Sequence, residues 1–151
     1  MTGMNDNSFR TARKPATAAR IYDYMLGGTH NFPADREAAQ QVVQVWPLAP
    51  ALARTNRAFL RRVVRTLTDA GIGQFLDLGS GIPTAGNVHE LAPQARVVYV
   101  DIDPVAVAES LDILEGNDRA AALRADLREP ESILDHPEVP PPRCTRGPGP
   151  G

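Results

Sequence analysis

Asp77, Gly79, Gly81, Asp101 and Asp126 are the residues whose types and spacing point to chemistry. Phe75-Leu76-Asp77-Leu78-Gly79-Ser80-Gly81-Ile82-Pro83 is a short apolar run that opens into a glycine turn. Glycine at 79 permits a sharp turn, and glycine at 81 lets the backbone approach a ligand with no Cβ in the way. Gly-x-Gly alone also fits an ordinary strand-to-helix turn. Asp101 lies 22 residues after Gly79, at the carboxyl end of the next predicted strand. A carboxylate there can accept hydrogen bonds from both ribose hydroxyls of an adenosine ligand. The alternative for Asp101 is a helix N-cap, a role that Asp103, just before Pro104, fits better. Asp126 ends a third predicted strand, where it can reach an adenine edge, cap the following helix or face solvent.

Charge separates the adenosine cofactors. A nicotinamide or flavin site wants a third glycine at position 84, and here Pro83-Thr84 stands instead. A pyrophosphate site favours helix N-terminal amides and no nearby carboxylate. Asp77, two residues before Gly79, repels a diphosphate and favours the cationic amino group and sulfonium of S-adenosylmethionine. An NAD-linked oxidoreductase is the rival reading.

These residues need a sheet to position them. Runs at 74–78, 96–100 and 120–125 read as strands; the second, Arg-Val-Val-Tyr-Val, is β-branched and continuous, as a buried parallel strand should be. Helices are predicted at 87–91, 104–114 and 129–134, with Pro104 in a first turn. Strands alternating with helices predict an α/β fold with a Rossmann-like, doubly wound parallel sheet. Ahead of it the pattern is helical. Ile21, Tyr24 and Met25 form one stripe, stopped by Gly27-Gly28. A second helix over 35–46 carries Val42, Val43 and Trp46 on one face. A third, over 50–69, carries Leu52, Phe59, Leu60, Val63, Val64 and Leu67.

Composition bounds the rest. The 151 residues predict one folded unit, with a disordered stretch at 1–16, a helical cap at 17–73 and the sheet at 74–139. No apolar run reaches the length of a membrane span, and the N-terminus has no secretory apolar core. The single cysteine, Cys144, excludes an intrachain disulfide framework and fits a reducing, cytoplasmic setting. His30, His89 and His136 share no metal-ligand spacing, so no metal is expected. Residues 1–74 hold ten Lys/Arg against five Asp/Glu, and residues 75–151 hold six against thirteen. The basic half lacks the clustered cations and interleaved aromatics of a nucleic-acid module, so no nucleic-acid partner is expected. Residues 140–151 contain five Pro and three Gly. They read as a tail that forms neither helix nor strand. Coming straight after a half-sheet, they suggest a truncated or out-of-frame end; a naturally short chain with a loose tail is the alternative.

With those residues in view, the chain resembles class I S-adenosylmethionine-dependent methyltransferases. Residues 75–81 are similar to their first motif, Val98-Tyr99-Val100-Asp101-Ile102-Asp103-Pro104 to the second, and Arg124-Ala125-Asp126-Leu127-Arg128 to the third. More narrowly, it resembles a bacterial methyltransferase family long catalogued as a domain of unknown function. That likeness rests on Ala19-Arg20-Ile21-Tyr22-Asp23-Tyr24-Met25-Leu26-Gly27-Gly28, Asn31-Phe32-Pro33-Ala34-Asp35-Arg36, Arg54-Thr55-Asn56-Arg57-Ala58-Phe59-Leu60, residues 74–84 and Asn87-Val88-His89-Glu90. It spans about residues 17–139. The resemblance implies the N-terminal half of a seven-strand fold under helical additions, with S-adenosylmethionine as cofactor; the acceptors of the family are generally not assigned, and a small-molecule methyl acceptor is the expectation here. It places Asp77, Gly79, Ser80, Gly81, Asp101, Ile102, Asp126 and Leu127 at the cofactor. From residue 140 onward nothing matches the family, which leaves an inactive relic or a cofactor-binding module as a further reading.

The N-terminal motif suggests a lid. Tyr22 can stack on the cofactor, Asn31 can hydrogen-bond it, and Arg20 can bind the methionine carboxylate bidentately. The competing reading places Tyr24 in the core and pairs Arg20 with Asp23 at i, i+3. Asn56 and Arg57 read as part of a solvated helix face, and His89 as structural rather than a general base. No residue is assigned a catalytic role. None is required, because methyl transfer from a sulfonium draws much of its acceleration, up to roughly 7–11 kcal/mol, from proximity and orientation.

Overall fold

The computed structural model describes residues 15–83 and 86–142. The readings for Thr84, for residues 1–14 and for residues 143–151, including Cys144, lie outside the described residues. Three helices lead the chain: α1 (Ala18–Met25), α2 (Pro33–Val45) and α3 (Ala49–Asp69). Then come β1 (Gln74–Leu78), α4 (Val88–Leu91), β2 (Arg96–Asp101), α5 (Pro104–Ile113), β3 (Ala120–Arg124) and α6 (Pro130–Leu134). Helix α2 starts two residues before the predicted point. Pro33 suits a first helical turn, and the Asp35 carboxylate accepts the Phe32 amide at 2.8 Å.

The sheet is parallel in the order β1-β2-β3. Parallel neighbours need a crossover, and α4 and α5 supply the two. Central β2 buries Val97, Val98, Tyr99 and Val100. Alternation sends Val97 and Tyr99 to one face, against Val64, Val88, Ala92 and Leu114, while Val98 and Val100 meet Leu123 and Ile133 on the other. Helices thus cover both faces, and the expected Rossmann-like α/β sheet with N-terminal helices is what the chain forms. The register sets Asp77 beside Tyr99 and Asp101 beside Arg124. The carboxyl ends of the strands therefore bring Asp77 and Asp101 to one rim.

The helical stripes differ from expectation. The buried residues of α1 are Arg20 and Asp23, and those of α2 are Asp35 and Ala39. Helix α3 buries Ala49, Ala53 and Val64, while Leu52, Phe59 and Leu67 are exposed, as are Val42 and Trp46 on and after α2. Small residues let these helices approach closely, so the packed face follows the alanines and polar pairs instead of the largest apolar side chains. Among the described residues, no helix is long and apolar enough to cross a membrane, and no group of three or more His, Cys, Asp or Glu is arranged to hold a metal.

Candidate functional site

The site is built on the turn after β1. Gly79 and Gly81 have φ of +69° and +64°, in the left-handed region that disfavours a side chain. The turn is fastened to the next strand: the amides of Gly79 and Ser80 donate to the Val100 carbonyl at 2.8 and 3.1 Å. The Asp101 carboxylate takes the Gly81 amide on Oδ2 at 2.7 Å and the Asp103 amide on Oδ1 at 2.9 Å. Asp103 caps α5 by accepting the Val105 amide at 2.9 Å, which leaves Asp101 to the turn. Each Asp101 oxygen has a second lone pair for a ligand.

A cavity of about 580 Å³ opens over this turn. That volume lies within the roughly 300–1,000 Å³ of small-molecule sites. Its wall includes Tyr22, Asp77, Gly79, Ser80, Gly81, Asp101 and Ile102, all named from the sequence, together with Asp23, Asp103, Asn56 and Arg57. Among the described residues, four aspartates thus face a single arginine. A second cavity of about 560 Å³ lies beside β1 and the amino ends of the strands, lined by Arg96 and Arg119 and, among the described residues, by no acid. Open α/β sheets bind ligands at the carboxyl ends, so the first cavity is the candidate site.

Burial pushes the Asp77 carboxyl above the ordinary carboxylate range; nearby Arg57 opposes that rise and Asp101 adds to it. On the same face of the sheet, buried Tyr99 meets His89: the His89 amide donates to the Tyr99 hydroxyl at 3.1 Å, and His89 Nδ1 lies 2.7 Å from it. That contact is structural, and His89 does not line the cavity.

The helical cap is held by buried polar contacts. Arg20 pairs with Asp35 at 2.8 Å, both almost wholly buried, and its guanidinium lies 5.2 Å from the Phe32 ring centroid. The proposed Arg20–Asp23 pair is therefore corrected: Asp35, on the next helix, takes Arg20, because both side chains point into the α1–α2 contact. Asp23 is held instead by Asn31, whose Nδ2 donates to Oδ2 at 2.8 Å, and Arg36 Nη1 in turn donates to Asn31 Oδ1 at 2.8 Å. Arg20 and Asn31 do not line the cavity. The Tyr22 hydroxyl donates to the Ala53 carbonyl at 3.2 Å, tying α1 to α3. Among the described residues, Arg20 Nη1, Asp23 Oδ1 and, on α3, Arg57 Nε are buried without a partner.

The third strand end is less engaged. Asp126 forms an ion pair with Arg128, which holds its carboxyl down at about 2, and it does not line the cavity. Leu127 does approach the turn, its Cδ1 lying 3.9 Å from where a Cβ on Gly79 would stand.

The sequence reading put Asn56 and Arg57 on a solvated helix face; Asn56 is exposed and Arg57 half-buried, and both line the cavity from α3.

The model of a protein family described as S-adenosyl methyltransferase matches residues 5–141. The chain belongs to this family. S-adenosylmethionine is the cofactor of these methyltransferases. Two solved structures resemble this family member closely. A candidate methyltransferase from Thermobifida fusca YX is 48% identical, with a TM-score of 0.78, over 83% of this chain and 49% of its own. A DUF574 family protein from Streptomyces avermitilis MA-4680 is 46% identical, with a TM-score of 0.75, over 82% of this chain and 50% of its own. This methyltransferase family member therefore spans about half the length of those solved relatives. No curated protein matches it.

Proposed function

We propose that this chain binds S-adenosylmethionine over the glycine turn and serves methyl transfer to a small-molecule acceptor. The observation that carries the reading is the wall of four aspartates around a backbone cradle. Such a wall favours a ligand with an ammonium and a sulfonium and repels a diphosphate.

In this reading Asp101 accepts the ribose hydroxyls while holding the Gly81 amide. Gly79, Ser80 and Gly81 form the floor, and Asp77 faces the cationic end. Ile102 and Leu127, both exposed beside the turn, flank the adenine, and Tyr22 covers it from α1. Asp126 reaches the adenine edge only if it gives up Arg128. Arg20 and Asn31 are positioning residues, acting through Asp35 and Asp23. When bound, the cofactor supplies an electrophilic methyl group whose transfer neutralises the sulfonium charge. The chain's own work is binding, orientation and exclusion of water. A base is needed only where the acceptor must lose a proton. The single cysteine fits a cytoplasmic setting.

Thermal-shift and calorimetric titration of the chain with S-adenosylmethionine, its demethylated product and NAD tests this. Stabilisation by the first two and none by NAD is expected. Stabilisation by NAD alone would replace methyl transfer with hydride transfer.

A further inference from the structure

The two faces of the sheet are covered unequally. The face of Val97 and Tyr99 meets α3 through Val64, α4 through Val88, and the end of α5 through Leu114. On the opposite face, Val98, Val100 and Leu123 meet Ile133 of α6 and, beyond it, Val139. Helix α6 has five residues, where α3 and α5 have 21 and ten. A parallel sheet is ordinarily covered on both faces. Here the amino-terminal part of β1 and β2 borders the second cavity, of about 560 Å³, instead. Leu76 and Val98, paired across the two strands, form its floor, and Leu134 and Val139 form a wall. Its volume is that of a small-molecule site.

The charge of this cavity is of one sign. Among the described residues its charged members are Arg96 and Arg119. Val97 pairs with Ala120, so one residue earlier Arg96 stands beside Arg119 at the amino ends of β2 and β3. Like charges set opposite one another on neighbouring strands are destabilising. Neither arginine forms an ion pair among the described residues, although Asp118 and Glu138 line a small adjoining cavity of about 80 Å³ with them. Arg119 Nη1 donates to the Gln94 carbonyl at 3.2 Å. Each guanidinium has five N–H donors, so both arginines keep donors for a ligand. An apolar floor ending in two adjacent cations matches a molecule with an apolar body and an anionic head.

We propose that this second cavity binds a small amphiphilic carboxylic acid. Its body lies on Leu76, Val98, Leu134 and Val139, and its carboxylate sits between Arg96 and Arg119, whose planar forks suit carboxylate oxygens. An acyl chain and a flat ring share this chemistry. The site is at the opposite end of the strands from the glycine turn and does not depend on what the turn binds.

Calorimetry on the full chain tests this with two acids and their neutral amides: octanoate against octanamide, and 2-naphthoate against 2-naphthamide. At least one acid is expected to bind about tenfold tighter than its amide, and which acid does so identifies the body as chain or ring. Arg96→Gln and Arg119→Gln should each weaken that acid by about fivefold and leave its amide unchanged. Leu134→Ala should weaken acid and amide alike. All three replaced residues are exposed, and unchanged melting temperatures would report that the variants are folded. Saturating S-adenosylhomocysteine should leave the acid's affinity as it was. Equal affinity for acid and amide would overturn the site without any variant, as would failure of both acids to bind below about 1 mM. Acid binding that ignores both arginine variants, or that S-adenosylhomocysteine displaces, would place the acid elsewhere and overturn it too.

Discussion

The Asp101 carboxylate accepts the Gly81 amide at 2.7 Å, so the acid at the end of one strand holds open the turn at the end of its neighbour. In the proposed reading, the acid that takes the ribose and the backbone cradle are thus one unit. Asp101→Ala removes charge-assisted bonds of roughly 1.5–3 kcal/mol, or about 10- to 150-fold in cofactor affinity. It also leaves the Gly81 amide without its acceptor, so the apo protein should melt lower. Asp101→Asn keeps one acceptor oxygen and should recover part of the melting temperature. Calorimetry and thermal melts of the two variants check this; unchanged affinity in Asp101→Ala would remove Asp101 from the ribose.

The Arg20–Asp35 pair should dominate the stability of the cap. Both partners are buried, so removing one strands a charge, at a cost of about 3–5 kcal/mol. Against a typical total of roughly 5–15 kcal/mol, Asp35→Ala should sit near unfolding. The pH dependence follows the Asp35 carboxyl. Burial works to raise it, but the Arg20 guanidinium and the Phe32 and Thr17 amides outweigh burial and hold it below its usual value. A lowered acid contributes stability that is present above the unfolded value, near 3.8, and lost as pH falls through the folded one. Chemical denaturation of wild type between pH 5 and 2, compared with Asp35→Asn, measures that share; equal acid sensitivity in the two would refute it.

The sheet was legible because its signals are local. A continuous β-branched run, a glycine turn and Pro104 in a first turn each have one physical solution, and β1 falls at residues 74–78 as read. Asp77, Gly79, Ser80, Gly81, Asp101 and Ile102 came together because strand ends share a rim. The cap was harder to read. Its apolar stripes pointed to Leu52, Phe59 and Trp46, yet the buried face runs through Ala39, Ala49 and Ala53 and the Arg20–Asp35 pair. Hydrophobic periodicity ranks residues by size, whereas close helix packing selects small ones. The same ranking assigned Arg57 to solvent, although it lies one turn beyond Ala53 on the packed side of α3. Asp126 shows the limit of motif position: its neighbour Arg128 takes the carboxylate that the motif offers a ligand.

Gly28 should tolerate no side chain. A Cβ there would stand 2.0 Å from Asp23 Oδ1 and 2.5 Å from Asp23 Cγ, and Asp23 is buried with Asn31 fastened to it. Gly28→Ala must expel Asp23 or shift α1. Loss of stability of about 1–3 kcal/mol is expected. Gly73→Ala, with nothing within 4 Å of the added carbon, is the matched control and should be nearly silent. Melting temperatures of the two variants make the comparison; a Gly28→Ala protein as stable as the control would show that α1 is looser than its contacts imply.

His89 gives the fold a second pH dependence. Burial lowers its pKa below 6.5, partly countered by Glu90, so the folded chain favours the neutral ring against the Tyr99 hydroxyl. For a base lowered in the fold, stability is fully present above the unfolded value and declines as pH falls below about 6.5, until the folded value is passed. His89→Gln should lose that slope between pH 6.5 and 5, while the Asp35 slope at lower pH persists. A pH series of melting temperatures separates the two; an unchanged slope near pH 6 in His89→Gln would assign it elsewhere.

Asp77 sets stability against binding. Burial and the charge of Asp101 push its carboxyl above the ordinary range even though Arg57 pulls it down, so the ionised form is disfavoured by the fold. For an acid raised in the fold, the stability it contributes is present below the unfolded value near 3.8 and lost as pH rises through the folded one. At neutral pH the ionised group is therefore a net cost to the empty protein, and a cationic ligand offsets it. Asp77→Asn removes that cost while keeping the side-chain shape, so the apo variant should melt higher than wild type. It should bind the cationic donor more weakly, by about tenfold or more, with less effect on neutral methylthioadenosine. The two measurements must move in opposite directions. An Asp77→Asn protein that melts lower and binds the donor as tightly as wild type would mean that Asp77 braces the turn and does not face the ligand.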